Sequence, residues 1–265
     1  MPDPSVFADW PSPTAAYVLG LMYADGCLSS VNGQPRLTIG MNDEQLMRSV
    51  HVLMCSPARK LYHYRKQWLC ISTNVDDIQF LRDQGLTERK SLTITWPRSL
   101  PDECFWPFVR GVFDGDGTVT VEYRLREDGS LHARWNLTIV SGSSVFAVEL
   151  CHQFNTRNVH ATMFTDTRGL YHVHVSTQVD VQRMIMYMYA DAAPRLVRKQ
   201  VLCYTPAVLP CIPVVKNMLS RTGVIGYAKL RQTLITALVQ LIKAIGSADV
   251  EVRENQVNYK RGFQG

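Results

Sequence analysis

The hydrophobic positions along the chain change period in the same order twice. Helical spacing over residues 13–24 gives way to two alternating runs, a short helix, a second pair of alternating runs and a third helix. Residues 104–189 repeat that order. The pattern predicts an α+β protein built from two αββαββα repeats.

Capping and turn residues mark the predicted boundaries. Ser12 followed by Pro13 is a typical helix start, and Pro107 must lie in a first turn, so the matching helix begins near Cys104. Asn32-Gly33 and Asp128-Gly129 predict the tips of the first hairpin of each repeat. Further helices are predicted at 43–54, 76–84, 143–154 and 179–189, and further hairpins at about 60–73 and 162–176.

We expect four regions along the chain. These are an N-terminal half at 1–96, a linker at 97–103 that contains Pro-Arg-Ser-Leu-Pro, a C-terminal half at 104–205, and an extension at 206–265. The extension has eight Lys and Arg and three Asp and Glu. Its net charge of +5 therefore equals that of the whole chain. It also predicts one amphipathic helix, with apolar residues at Leu230, Leu234, Leu238, Leu241, Ile242 and Ile245.

The sequence itself repeats where the first helix of each half ends. Tyr17-Val-Leu-Gly-Leu-Met-Tyr-Ala-Asp-Gly26 aligns with Phe108-Val-Arg-Gly-Val-Phe-Asp-Gly-Asp-Gly117, and short matches follow at Leu37–Ile39 with Leu137–Ile139 and at Lys90 with Lys199. Each helix carries small residues four apart, which allow two helix backbones to pack closely. These helix-packing residues are Gly20 and Ala24 in the first copy and Gly111 and Gly115 in the second.

Asp25 and Asp116 follow the small residues directly, so close packing of the two helices brings the two carboxylates together. A helix C-terminus carries partial negative charge, and a second carboxylate adds repulsion, so a cation between them is favoured. Mg²⁺, or another divalent cation, suits two lone aspartates because it keeps waters and takes its remaining ligands from phosphate. We therefore predict that Asp25 and Asp116 are metal ligands and catalytic residues of a phosphodiester hydrolase.

The doubled segment resembles the paired signature of the LAGLIDADG homing endonucleases, in their single-chain form with two motifs. The resemblance covers about residues 12–205. It implies a saddle of two antiparallel sheets with the motif helices at the centre, and a metal-dependent double-strand break in a long asymmetric DNA target with short 3′ overhangs. It also implies that the protein acts as a monomer.

The resemblance extends to residues around the acids. It implies that the basic residues Lys90 and Lys199 act near the scissile phosphate, and it places Asp43 and Ser143 near the metal and its solvent shell. Tyr23 stands where the signature has its earlier acid, whereas Asp114 keeps that acid. This earlier position is not the catalytic one.

Strand alternation assigns a polar face to the first hairpin of each half. That face is rich in groups that bind phosphates or base edges, and we predict that it binds DNA. The predicted DNA-binding residues are Arg36 and Thr38 in the first half and Arg124, Arg126, His132, Arg134, Asn136 and Thr138 in the second. Lys60, Tyr62, Tyr64, Arg65 and Lys66 have no clear face in the sequence, and His172 and His174 share one strand face without a third ligand for a metal.

Composition excludes several classes of protein. No run of about 18 apolar residues could span a membrane, and the N-terminus lacks the basic start and apolar core of a secretory signal. Seven scattered cysteines form no C-x-x-C pair, so a disulfide framework and a cysteine zinc site are not expected. We expect a protein of the cytoplasm, or of an organelle matrix if it is encoded there.

Two alternatives stay open from the sequence. One is a protein of the same fold that binds nucleic acid without cutting, either an intron-splicing maturase or a regulator. The other is a nuclease of a different class with an E-x-K strand, for which Glu88-Arg-Lys90 offers the letters but occurs only once.

Overall fold

The computed structural model describes residues 2–125, 131–191, 194–197 and 199–200, with the side chains of 121–134 left out. The chain forms two compact units. The first comprises Met1–Thr120 and Trp135–Gln200 and contains the helices described below. Of the second, Val121–Arg134 and Val201–Gly265, only the strand segments 121–125 and 131–134 are described.

The order of elements is αββαββα, twice. The first repeat consists of α1 (Pro13–Ala24), β1 (Gly26–Val31), β2 (Gln34–Met41), α2 (Glu44–Met54), β3 (Tyr62–Tyr64), β4 (Gln67–Ser72) and α3 (Val75–Asp83). The second consists of α4 (Phe105–Asp116), β5 (Gly117–Leu125), β6 (Leu131–Ser141), α5 (Ser144–Thr156), β7 (Thr162–Thr165), β8 (Tyr171–Val175) and α6 (Gln178–Met188). The predicted α+β class and the doubled order are confirmed.

Each repeat folds its strands into a four-stranded antiparallel sheet. The strand order is β1-β2-β4-β3 in the first sheet and β5-β6-β8-β7 in the second, so the same crossover occurs twice. In the first sheet β2 pairs with both β1 and β4, with Thr38 opposite Cys27 on one side and Ile71 on the other. The identical strand order confirms that the repeat seen in the sequence is a repeat of structure.

The predicted caps and turns lie where the local chemistry requires. The Ser12 side chain accepts a hydrogen bond from the Ala15 N–H at 3.2 Å and caps α1. Asn32 and Gly33 both have positive φ, 52° and 75°, as the two central residues of a tight hairpin turn need. Asp128-Gly129 and the apolar positions of the predicted C-terminal helix lie outside the described residues.

The core of the first half lies between one face of its sheet and α2. Leu37, Ile39 and Cys70 are buried on that face, and Met47 and Val50 of α2 are buried as well. Residues that alternate with them, such as Arg36 and Thr38, are half-buried on the opposite face. Period-2 alternation therefore separates an apolar layer covered by helix from a polar layer that is not.

The motif helix α1 is buried on all sides. Every residue from Ala15 to Tyr23 is buried, which is typical of a helix in the centre of a protein rather than at its surface. In the part of the chain that the structure describes, no helix is long and apolar enough to cross a membrane.

Candidate active site

The two motif helices touch backbone to backbone. A methyl group placed on Gly20 would lie 2.1 Å from the Phe108 carbonyl oxygen, and one placed on Gly111 would lie 2.2 Å from the Tyr17 carbonyl oxygen. Both distances are far below a van der Waals contact. Any residue larger than glycine at either position would push α1 and α4 apart.

Close packing continues to the ends of the helices. A methyl group on Gly115 would lie 2.3 Å from the Ala24 Cβ and 3.1 Å from the Asp25 Oδ2. The carboxylate of the first motif therefore lies against the backbone of the second. Asp116, the next residue, is close enough for Asp25 to raise the pKa of its carboxyl group by repulsion.

Both carboxylates are exposed to solvent on one side and surrounded by protein on the other. Desolvation by the surrounding protein raises the pKa of Asp25, against the opposing effect of the charges of Lys199 and Lys90. Desolvation, with repulsion from Asp25 next in size, raises the pKa of Asp116 to about 6. Neither carboxylate accepts a hydrogen bond from a described residue, so both can take an external ligand.

Lys90 and Lys199 close the C-terminal ends of the two helices. The Lys90 Nζ donates to the carbonyl oxygens of Tyr23 and Ala24, both at 2.7 Å. The Lys199 Nζ donates to the carbonyl oxygens of Phe113 at 2.5 Å, Asp114 at 2.8 Å and Gly117 at 2.6 Å. Each ammonium group thus offsets the partial negative charge of a helix end that already carries a carboxylate.

The charge of Lys90 is itself disfavoured by its surroundings. Desolvation lowers the pKa of Lys90, and the nearby carboxylates Asp116 and Asp25 partly reverse that effect. The two aspartates and the two lysines therefore form one electrostatic cluster. Their catalytic roles stay predictions.

The donor set fits a hard divalent cation. Among the described residues no group of three or more His, Cys, Asp and Glu could hold a metal, so Asp25 and Asp116 are the candidate ligands that this part of the chain offers. Two exposed carboxylates that repel each other and lack hydrogen-bond donors favour an ion that shares its shell with water and substrate oxygens. Transition metals held in closed cages of nitrogen or sulfur fit this site poorly.

The residues that precede the acids differ between the halves. Asp114 is fully buried and accepts hydrogen bonds from the Tyr17 hydroxyl at 2.8 Å and the Leu196 N–H at 2.7 Å. At the matching position of the first half, the Tyr23 hydroxyl donates to the Gln84 carbonyl at 2.7 Å, and the Tyr23 ring packs edge-on against Phe108. Neither group faces solvent, in agreement with a role in packing rather than in binding an ion.

The polar sheet face of the first half adjoins this cluster. Arg36 and Thr38 are half-buried there, and Thr38 pairs with Cys27, which lies close enough to Lys90 to influence its pKa. The Arg36 Nε and the Thr38 Oγ1 have no hydrogen-bond partner among the described residues. Both atoms are shielded from solvent, although the two residues as a whole are half-buried.

The second half supplies a similar but less completely described face. Asn136 and Thr138 are half-buried, and the Thr138 Oγ1 lies 3.0 Å from the His174 Nδ1. The other predicted DNA-binding residues of this half lie outside the residues whose side chains are described, namely Arg124, Arg126, His132 and Arg134.

The strand register adds residues that the sequence did not assign. Tyr62 pairs with Leu69 and Tyr64 with Gln67, which places these exposed residues on the face of Arg36 and Thr38. Alternation over the three residues of β3 is too short to indicate a face, although the basic run next to the two tyrosines was a signal for it.

Two histidines lie on the corresponding face of the second half. His174 pairs with Thr138, and His172 stacks on Phe164 with ring centroids 4.8 Å apart. The His172 Nε2 lies 3.1 Å from the Asp166 Oδ2. Both histidine side chains are half-buried on this face.

Asp43 and Ser143 have a clear structural role that the resemblance did not indicate. The Asp43 Oδ1 accepts a hydrogen bond from the Leu46 N–H at 2.9 Å and caps α2. The Ser143 hydroxyl accepts from the Phe146 N–H at 3.3 Å and donates to the Ile94 carbonyl at 2.6 Å. Both residues stand where a helix leaves four N–H groups without partners, and this explains their residue types.

The E-x-K alternative lacks its strand. Glu88 is exposed outside any strand, and Lys90 begins a short 3-10 turn at Lys90–Leu92. The carboxylate and the lysine of such a nuclease must lie on one strand to share a metal site, so Glu88-Arg-Lys90 does not form one.

Comparison with solved structures identifies the fold. The meganuclease I-SmaMI, bound to uncleaveable DNA with a TTCT central four, is similar with a TM-score of 0.54 and 11% identity over 79% of this chain and 96% of that chain. LAGLIDADG meganuclease I-AabMI, bound to uncleaved DNA, gives a TM-score of 0.52 and 15% identity over 83% of this chain and 97% of that chain. No sequence family and no curated protein sequence matches the chain. With its two αββαββα repeats and central glycine-packed helices, the chain has the single-chain fold of the LAGLIDADG homing endonucleases.

Proposed function

We propose that the protein is a site-specific endonuclease that makes metal-dependent double-strand breaks in a long asymmetric DNA target, leaving short 3′ overhangs. The observation that carries the proposal is the pair Asp25 and Asp116. Their carboxylates meet at the ends of two helices packed at glycine, repel each other, and have no hydrogen-bond donor among the described residues.

Asp25 and Asp116 would hold the divalent cation, and the cation would supply an activated water and stabilise the negative charge that develops on the phosphate. The protein residues have separate tasks. Asp25 and Asp116 would hold the ion from the C-terminal ends of α1 and α4. Lys90 and Lys199 fix the two helix ends and limit the build-up of negative charge before DNA arrives.

Double-stranded DNA is the proposed partner. The polar sheet faces, with Arg36, Thr38, Asn136 and Thr138, have groups suited to phosphates and base edges. Support also comes from the similar structures, since I-SmaMI has been crystallised with cleaved DNA and, in another crystal, with uncleaved DNA and calcium ions. We propose the same class of ligand here.

Cleavage selection from a randomised double-stranded DNA library tests the proposal. The purified chain is incubated with the library in Mg²⁺ or in Ca²⁺, and cut ends are sequenced on both strands. We expect one long, non-palindromic target, a requirement for the divalent ion, and short 3′ overhangs. No cleavage in Mg²⁺ by a protein that still binds one DNA sequence tightly would replace the nuclease with a non-cutting protein of the same fold.

Variants of the two acids link cleavage to the site. Asp25→Asn and Asp116→Asn should each abolish double-strand cleavage and leave DNA affinity within about tenfold, because metal ligation and groove contact are separate contributions. Asp9→Asn, an exposed aspartate in the N-terminal segment, is the matched control and should cleave like the wild type. Full cleavage by either motif variant would contradict the proposal.

A further inference from the structure

We propose that Asp114 is a positioning residue that fixes Lys199 at the end of α4 by holding the backbone N–H of Leu196. The inference rests on the proposed nuclease function for its kinetic consequence, although the positioning itself is a property of the folded chain. It gives a role to Asp114, the acid of the second motif that is not a predicted metal ligand.

Asp114 has a dedicated environment. Its side chain is completely buried, and a single oxygen, Oδ2, accepts both from the Tyr17 hydroxyl of α1 and from the Leu196 N–H. A buried carboxylate is costly unless it is hydrogen-bonded, so its presence in the helix interface requires these two donors. Leu196 is itself completely buried, which fixes the donor in place.

The turn that carries Lys199 begins at Leu196. The N–H groups of Lys199 and Gln200 both donate to the Leu196 carbonyl, at 2.9 and 3.2 Å. The Asp114 carboxylate therefore lies at the N-terminal end of this turn, where free N–H groups and partial positive charge favour an anion. Asp114 thus contacts both ends of the turn. Its carboxylate accepts from the Leu196 N–H, and its backbone carbonyl accepts from the Lys199 Nζ.

The two contacts form a closed clamp around Asp114. The carboxylate binds Leu196 at 2.7 Å, and the Asp114 carbonyl accepts from the Lys199 Nζ at 2.8 Å. The same ammonium group reaches the carbonyls of Phe113 and Gly117 on either side of Asp116. Releasing Leu196 would free the turn and allow the lysine to leave the helix end.

The first half has a similar pair of contacts without a carboxylate: the Tyr23 carbonyl accepts from the Lys90 Nζ at 2.7 Å, and its side chain is a phenol. Tyr23, the counterpart of Asp114, donates to the Gln84 carbonyl, in the turn that follows α3. Lys90 reaches its helix end from the 3-10 turn Lys90–Leu92. The dependence on a buried carboxylate is therefore specific to Lys199, which makes the first half an internal control.

Amine labelling with mass spectrometry tests the positioning without any substrate. Wild type and the variants Asp114→Leu, Asp114→Asn and Tyr17→Phe are treated with an acylating reagent, and the modification of Lys199 and Lys90 is quantified. Lys199 should be protected in the wild type, in Asp114→Asn, which keeps an acceptor for Leu196, and in Tyr17→Phe, which keeps the Leu196 bond. In Asp114→Leu it should react at least about tenfold faster while Lys90 stays protected.

A double-mutant cycle tests the kinetic consequence. Single-turnover cleavage is measured for Asp114→Leu, Lys199→Met and the double variant, with DNA affinity in parallel. We expect Asp114→Leu to lower the cleavage rate at least about tenfold with affinity within about twofold, and to cause no further loss when Lys199 is already methionine. Asp114→Asn should restore most of the rate.

The outcomes separate the two proposals. Unchanged protection of Lys199 in a folded Asp114→Leu protein, or rate losses that multiply in the double variant, would overturn the positioning role. Should Asp114→Leu fail to fold, exposure of Lys199 in Asp114→Asn at wild-type melting temperature would also overturn it, and continued protection would support it. A wild-type protein that cuts no DNA refutes the nuclease proposal, whereas the labelling result still decides the role of Asp114.

Discussion

Gly20 of α1 lies directly against Gly111 of α4, so that a methyl group added to either would come within 2.9 Å of the Cα of the other. The contact lies five residues before Asp25 on α1 and five residues before Asp116 on α4. The distance between the two carboxylates is therefore set by close helix packing that glycine at both positions allows.

Gly20→Ala and Gly111→Ala should each destabilise the protein, because the added methyl group meets backbone atoms that cannot rotate away. Overpacking of this kind costs about 1 to 3 kcal/mol, and the measurement is equilibrium unfolding in urea. Val52→Ala, on the exposed side of α2, should change the free energy of unfolding by less than about 0.5 kcal/mol. A Gly20→Ala protein as stable as the wild type would mean that the helices do not meet at this residue.

The raised pKa of Asp116 predicts a pH-dependent penalty. Its pKa is about 6 in the folded protein against 3.8 for the free side chain, so the folded state holds the proton more tightly. This group's contribution to stability is then greatest below about pH 4, falls as the pH rises through 6, and is least above it. Without divalent ions, Asp116→Asn should melt at a higher temperature than wild type at pH 7 and show little advantage at pH 4. A variant that melts below the wild type at pH 7 would contradict a pKa of Asp116 raised by desolvation and by repulsion from Asp25.

Divalent ions should remove the same penalty. At pH 7, millimolar Mg²⁺ or Ca²⁺ is expected to raise the melting temperature of the wild type, because an ion that binds only the folded state stabilises it by about 2.7 kcal/mol at a hundred times its Kd. Chelation should reverse the shift. The double variant Asp25→Asn, Asp116→Asn should show none, and a shift of equal size in that variant would place the ion elsewhere.

Arg36 should contribute to DNA binding. Arg36→Ala is expected to weaken binding to the selected target by about 1 to 3 kcal/mol if the side chain contacts a guanine, and to relax the preference at one base pair. Arg48→Ala is the matched control, because Arg48 lies on α2, behind the opposite face of the sheet, in an exposed ion pair with Glu44. Equal losses in the two variants, measured by fluorescence anisotropy, would remove Arg36 from the binding face.

Variants of Asp43 distinguish a helix-capping role from a role near the metal. Asp43→Ala should lower stability by about 1 kcal/mol through loss of the cap, whereas Asp43→Asn keeps a side-chain oxygen and should retain nearly all of it. Both variants should cleave at the wild-type rate below their melting temperatures. Loss of cleavage in Asp43→Asn at unchanged stability would instead favour a place near the metal.

The sequence was sufficient wherever local chemistry decides the structure. Helix starts at Ser12 and Cys104, the turn at Asn32-Gly33 and the doubled strand order follow from caps, turn residues and period. The positions of Asp25 and Asp116, directly after the small residues of the two helices, also predicted that these two side chains would lie close together. These features involve residues that are neighbours in sequence or related by the repeat.

The rest depends on contacts between distant segments, which no local pattern contains. The direction of the Lys90 and Lys199 side chains, back into helix carbonyls, depends on where the chain returns after α3 and α6. The face of Tyr62 depends on its register with Leu69, and the buried Asp114 has meaning only once Leu196 lies beside it. Pairwise geometry of this kind appears only in the folded chain.

The side-chain contacts on the two sides of the Gly20–Gly111 pair differ. On one side a tyrosine hydroxyl, Tyr17, binds the buried carboxylate of Asp114, and on the other the rings of Tyr23 and Phe108 meet. Two copies of the second half would set Phe108 against Asp114 and enclose two carboxylates without that hydroxyl donor, at a large desolvation cost. The two halves are therefore complementary to each other. When produced as separate chains, they should associate as mixed pairs in preference to pairs of the second half with itself.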